Sequence, residues 1–132
     1  LSSQFSIYKN SGADILLGGL VSYDPSIKVD LLKINPAFIE QYTAESAEVT
    51  EAMAIHGKKL FTQADIVVAC TGLLKPWGSV TKTKPEGTFF TSILYLNETH
   101  NFHYFIDGTP LHRLSALTRH IATEIIKLID GV

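Results

Sequence analysis

Apolar positions along the 132 residues fall into short blocks separated by polar, Gly and Pro punctuation, and their spacing predicts alternating helices and strands. Leu1, Phe5 and Tyr8 share one helix face, the tail of an amphipathic helix with no N-cap of its own. Asp14 to Tyr23 is almost continuously apolar, as in a strand buried on both faces; Gly18-Gly19 in its middle predicts a bulge or the close approach of another group. Asp24-Pro25 is a helix start, with Asp as cap and Pro at the first helical position, and Ile27, Leu31 and Leu32 are expected to point inward. Asn35-Pro36 repeats the signal for a short helix to Tyr42, and Ser46 caps a third, from Ala47 to Phe61, with Val49, Met53, His56 and Leu60 on one face.

Asp65 to Thr71 reads as a second buried strand, and Gly72 to Gly87 as a loop. Thr88 to Leu96, rich in aromatic and β-branched residues, and Phe102 to Ile106 read as strands joined by a polar turn, Asn97 to Asn101. The last element is a long helix, Pro110 to Leu128, capped by Thr109 and followed by Gly131. Its expected buried stripe is Leu111, Leu114, Leu117, Ile121, Ile125 and Leu128. Interleaved helices and strands make the class α/β: a single domain of three-layer type, a mixed β-sheet flanked by helices, with the hairpin as its antiparallel part.

Composition narrows the function classes. The apolar fraction is 45% and the charged fraction 18%, as in an ordinary compact domain. The net charge is −2 with mixed signs, and no basic stripe marks a nucleic-acid surface. No apolar run approaches the length of about 18 residues that a membrane helix needs. Cys70, the single cysteine, leaves no room for a disulfide framework and suits a reducing cytoplasm. The one methionine is Met53 and the chain opens at Leu1, so these residues are expected to be an N-terminally truncated piece of a longer product.

Two places gather reactive groups at strand ends, where open α/β sheets tend to bind ligands. The first runs from Gly18 to Lys28. Lys28 lies about one turn into a helix and can fold back beside Tyr23; a lysine of lowered pKa can serve as general base, and a tyrosine can relay a proton. For these residues alone, a Tyr packed on the sheet and an exposed Lys is the commoner arrangement. The second is Ala69 to Gly78, where the Thr71 hydroxyl and backbone N–H groups of a Gly/Pro-containing loop can cradle a ligand, although an ordinary strand exit is commoner. His100 and His103 lack a second ligand pair for zinc, His112 and His120 read as surface, and Cys70 reads as a small buried side chain. No metal or cofactor is called for.

The motifs, taken in order, resemble the CinA C-terminal family. Gly18 to Leu32 resembles its Gly-Gly-Val-Val-x-Tyr stretch followed by Lys and two leucines; Ser46 to Ala54 its Ser-Glu-Glu-Val-Ala-x-x-Met-Ala helix; Ala64 to Gly72 its strand ending in Thr-Gly; and Lys84 to Thr88 its Lys-Pro-Val-Gly-Thr. The resemblance implies a bacterial cytoplasmic amidohydrolase that converts nicotinamide mononucleotide to nicotinic acid mononucleotide and ammonia. It implies a serine nucleophile in a Glu-Ser-x-Thr motif upstream of Leu1, with Tyr23 and Lys28 as catalytic partners. Without that motif the fragment is expected to be inactive. Gly19, Thr71 and Gly72 are expected to line the substrate site. The family's Gly-Asp-Arg before the last helix reads Gly108-Thr-Pro110, so Arg113, one turn on, is the candidate to replace the arginine; Lys75 stands where the family has Gly. The implied partner is a small nucleotide, and a homodimer or higher homo-oligomer is expected. The alternative is a non-catalytic CinA-like domain that binds a nucleotide or a protein.

Overall fold

The computed structural model describes residues 1–2, 15–76 and 80–131. The expected helix tail through Phe5 and Tyr8, Asp14, and Gly78 of the loop lie outside them. The capping signals act where they were expected. The Asp24 carboxylate accepts from the Ser26 N–H at 2.9 Å. The Asn35 side chain accepts from Ala37 N–H at the start of α1 (Pro36–Tyr42), and the Ser46 hydroxyl from Val49 N–H at the start of α2 (Ala47–Leu60). Thr109 caps α3 (Pro110–Asp130) through His112 N–H, and Gly131, at φ 70°, closes it. The bonds from Asp24, Asn35, Ser46 and Thr109 are side-chain-to-backbone contacts within three residues, which is why the local sequence suffices to announce them.

Three strands, β1 (Ile66–Gly72), β2 (Thr88–Tyr95) and β3 (Glu98–Phe105), pair in that order, antiparallel throughout the described residues. The hairpin turn is tighter than expected. Tyr95 pairs with Glu98, and Leu96 and Asn97 take φ of 51° and 65°, the two left-handed residues of a type I′ turn. Glu98 to Asn101 therefore belong to β3 rather than to the loop.

Side-chain alternation gives the sheet two apolar faces. On one, Ala69 and Leu94 meet Leu32, Ile34, Val49, Met53 and Ala54; α1 and α2 cover this side. On the other, Val68, Cys70 and Phe89 meet Ala116, Leu117 and Ile121 of α3. The result is helix, sheet, helix, the three layers expected for an α/β domain.

Three apolar expectations change. Residues 16–23 lie outside the described strand ladder, and Leu17 and Val21 are exposed. The glycines there do meet close neighbours: a Cβ on Gly18 would come within 2.7 Å of the Phe61 ring, and one on Gly19 within 2.6 Å of Ser2 Oγ. Leu31 and Leu60 are exposed, so the buried side of α2 is Val49, Thr50, Met53, Ala54 and Gly57. On α3, Leu111 (80% exposed) and Leu114 are outside; the buried stripe passes through Arg113, Ala116, Leu117 and Ile121. Periodicity marks an apolar sector, and the sheet covers only one side of it.

Candidate active site

The residues after Tyr23 do not form an ordinary α-helix. Ile27–Leu31 is a π-helical turn in which Leu32 N–H donates to the Ile27 carbonyl at 3.1 Å. Such wide turns are rare and recur at functional sites. Lys28 sits in this turn and is buried, at 7% exposure, with its ammonium donating to the Ser22 carbonyl at 2.9 Å. Tyr23, next in the chain, is 88% exposed. The commoner arrangement for these residue types is thus inverted: the lysine is inside and the tyrosine outside. Burial pushes the Lys28 pKa below the ordinary lysine value, while the nearby charge of Glu45 pulls it back up.

The N-terminus of α2 reaches the second candidate region. Glu45 precedes the cap Ser46, whose carbonyl accepts from Thr50 Oγ1 at 2.5 Å. Thr50 Oγ1 in turn lies 2.8 Å from Thr71 Oγ1, at the end of β1. Gly72 follows because nothing larger fits: a Cβ there would overlap the Phe89 ring. The loop leaving β1 is pinned by Leu73 N–H to the Thr88 carbonyl at 2.9 Å and by Gly87 N–H to the Leu73 carbonyl at 2.7 Å.

Arg113 enters from the other layer. Only 5% exposed, it donates from Nε to the Ile106 carbonyl at 2.9 Å and from Nη1 to the Leu74 carbonyl at 3.0 Å, and it pairs with Glu86. The guanidinium thereby ties the end of the sheet, the β1–β2 loop and α3 together. Gly87, at φ 94°, lies against the Ile106 carbonyl and Arg113 Nε, a position that admits no side chain. Thr71 is tied to the start of α2 through Thr50 and Ser46, whereas Arg113 serves the α3 side.

Comparison with known proteins bears on what this arrangement is. Residues 4–128 match the family model for the CinA C-terminal domain. The chain belongs to the CinA C-terminal domain family. A CinA-like protein of Nostoc punctiforme is 35% identical over 116 residues, covering 87% of this chain and 27% of that protein. One from Rippkaea orientalis is 42% identical over 81 residues, covering 61% of this chain and 19% of that protein. The matches thus span roughly a quarter of these relatives or less. Among solved structures, the competence or damage-inducible protein from Enterobacter asburiae superposes with a TM-score of 0.86 at 22% identity, over 96% of this chain and 79% of that one. A CinA superfamily protein from Klebsiella pneumoniae gives 0.85 at 18% identity, over 98% and 80%. At these identities the likeness is one of fold.

Within this CinA domain, several groups at the site escaped the sequence reading. Glu45 lies outside every motif, and Thr50 and Lys84, although they fall within the Ser46 to Ala54 and Lys84 to Thr88 motifs, take their contacts from tertiary structure. Lys84 donates to Thr43 Oγ1 at 2.5 Å and to the Glu45 carbonyl at 2.8 Å, holding the 81–87 loop against the start of α2. Thr43 is a β-branched residue at φ 69°, a strained conformation over-determined by that lysine and by the Ser46 hydroxyl, which donates to its carbonyl at 2.8 Å. No described helix is long and apolar enough to cross a membrane.

Proposed function

We propose that the CinA domain supports hydrolysis of a linear amide, the carboxamide of nicotinamide mononucleotide, with Lys28 as general base and Tyr23 as its partner. The observation that carries this reading is the buried lysine: one carbonyl partner among the described residues, a π-turn around it and a pKa pushed down by desolvation. A lysine so held loses its proton more readily than a surface lysine, which a base for a weak hydroxyl nucleophile requires.

The nucleophile, by family pattern, is a serine ahead of Leu1. Its hydroxyl oxygen attacks the carboxamide carbon as its proton passes to neutral Lys28. The tetrahedral adduct collapses with cleavage of the C–N bond, and the Lys28 ammonium returns the proton to the departing nitrogen, which leaves as ammonia. Water then hydrolyses the acyl ester to the carboxylate and restores the serine. The Tyr23 hydroxyl, free of packing, is available to donate to the developing oxyanion or relay a proton. Gly19, Thr71 and Gly72 would line the substrate. The test is product analysis by mass spectrometry after the full-length protein is incubated with nicotinamide mononucleotide: nicotinic acid mononucleotide is expected from the wild type, with a strong loss in Lys28→Ala and a smaller one in Tyr23→Phe.

A second reading is a nucleotide- or protein-binding domain without catalysis, and it gains nothing from Arg113 as a phosphate contact. Its donors already serve Ile106, Leu74 and Glu86, so a phosphate would compete with three protein acceptors. Calorimetry of the full-length protein with the same nucleotide separates the readings: binding with no ammonia release favours the second.

A further inference from the structure

We propose that β3 is an interface strand: its open edge pairs antiparallel with the same edge of a second copy of this chain, about a twofold axis at Phe102. The proposal is independent of the chemistry assigned to Lys28.

β3 is the outermost strand of the sheet among the described residues. Its ladder to β2 runs without a break from Glu98 to Phe105, and just beyond it Ile106 N–H donates to the Gly87 carbonyl at 2.9 Å. Antiparallel alternation therefore turns the backbone N–H and C=O groups of the even-numbered residues toward β2. Those of Thr99, Asn101, His103 and Phe105 point outward. Sheet edges are normally guarded by lysine, proline or a bulge. β3 holds no lysine and no proline, its register has no bulge, and Asn101, His103 and Phe105 are exposed.

The two faces of the strand carry different chemistry. On the α3 side, the Phe102 and Tyr104 rings stack with centroids 6.3 Å apart, and Tyr104 stacks on His120 at 4.6 Å, so a row of rings lines the edge. On the α2 side, Glu51 Oε2 accepts from Thr99 Oγ1 at 2.8 Å and from Asn101 Nδ2 at 2.5 Å, which sets a carboxylate beside the edge.

Two copies of one strand pair isologously, and outward groups must meet outward groups. The axis can then pass through Asn101, Phe102 or His103. At Asn101 it brings the two Glu51 carboxylates together. At His103 it brings two imidazoles together and pairs only 101–105. At Phe102 all of 99–105 pair, and Asn101 faces His103 of the copy, so each Glu51 carboxylate meets an imidazole. Thr99 then faces Phe105 of the copy, His100 faces Tyr104, and Phe102 meets itself in the closer, non-hydrogen-bonded position. Like charges stay apart, and aromatic and β-branched side chains stand opposite one another, the pairs that stabilise antiparallel strands.

The test is oxidative cross-linking of dilute full-length protein carrying Phe102→Cys, Asn101→Cys, His103→Cys or Leu96→Cys. Each is read by mass spectrometry for the mutated peptide linked to itself. Cα atoms of a non-hydrogen-bonded pair stand about 4.5 Å apart, within the reach of a disulfide. Phe102→Cys is expected to link to itself, and Leu96→Cys, in the exposed hairpin turn, is not. Adding His103→Pro removes an outward N–H without touching the ladder to β2, so it should abolish the link. The proposal is overturned if folded Phe102→Cys does not link, links no faster than Leu96→Cys, or still links with His103→Pro present. A link at Asn101→Cys or His103→Cys in its place also overturns it. Should Phe102→Cys fail to fold, sedimentation velocity of His103→Pro decides: loss of the wild type's self-association supports the proposal, and unchanged association or a monomeric wild type overturns it.

Discussion

The hydroxyls of Thr50 and Thr71 lie 2.8 Å apart, and Thr50 also lies 2.5 Å from the Ser46 carbonyl. A threonine hydroxyl has one proton. A carbonyl can only accept, so Thr50 donates to Ser46 and Thr71 must donate to Thr50. The chain therefore runs from the end of β1 into the cap of α2, and it leaves a lone pair of Thr71, rather than its proton, for a ligand. Thr71 Oγ1 is expected to accept from an amide or hydroxyl donor of the substrate.

That polarity makes the two threonines unequal. Thr50→Val leaves the Thr71 proton without its acceptor and removes the side-chain bond to the Ser46 carbonyl, which keeps only the Thr50 N–H, and should cost about 1–3 kcal/mol. Thr71→Val leaves the Thr50-to-Ser46 bond intact and should cost about 0.5–1.5 kcal/mol. Urea unfolding of the two variants checks the order; an equal or reversed order contradicts the assigned direction.

Arg113 is expected to matter for stability. Arg113→Ala strands two carbonyls and the Glu86 carboxylate and should cost about 3 kcal/mol or more. Arg113→Lys should recover little, because a point-like ammonium cannot reach acceptors arranged for a planar fork. Asp107, 3.9 Å away and exposed, adds little, so Asp107→Asn should be close to neutral. Thermal melts of the three variants test the ranking.

Gly72→Ala should destabilise by about 1–3 kcal/mol through overlap with the Phe89 ring. Phe89→Leu alone opens space in the core, but combined with Gly72→Ala it should recover part of the loss. A double-mutant cycle measures the coupling, and strict additivity would contradict contact between the two positions.

Lys28 carries a signature in the pH dependence of folding. Its pKa is lower folded than unfolded, so between those two values the unfolded chain binds more protons and stability rises with pH. Below the folded pKa the cost of burying the ammonium is fully present. Lys28→Met should therefore melt higher than wild type at neutral pH, with the gap narrowing as pH approaches the ordinary lysine pKa. Paired melting curves across alkaline pH test this; a gap that widens would contradict it.

The caps at Asn35, Ser46 and Thr109 were legible because each is settled within three residues of chain. The helix and strand sequence from Pro36 onward followed from the same local rules, and so did the α/β class. Other features depended on what a segment packs against. The run from Ile15 to Tyr23 is apolar enough for a buried strand, yet Leu17 and Val21 stay exposed. Leu111 and Leu114 share an apolar sector with Leu117, but the sheet reaches only one side of it. At the site, motif order marked Lys28 and Thr71, while Glu45 and Thr50 acquire their roles from contacts between separate elements.

The most direct measurement is ammonia release from nicotinamide mononucleotide by the full-length protein, wild type against Lys28→Ala. The wild type should be active, and loss of the base should lower kcat/KM by about 10²–10⁴-fold with the fold intact. A folded Lys28→Ala protein that matches an active wild type would contradict the central role given to this lysine.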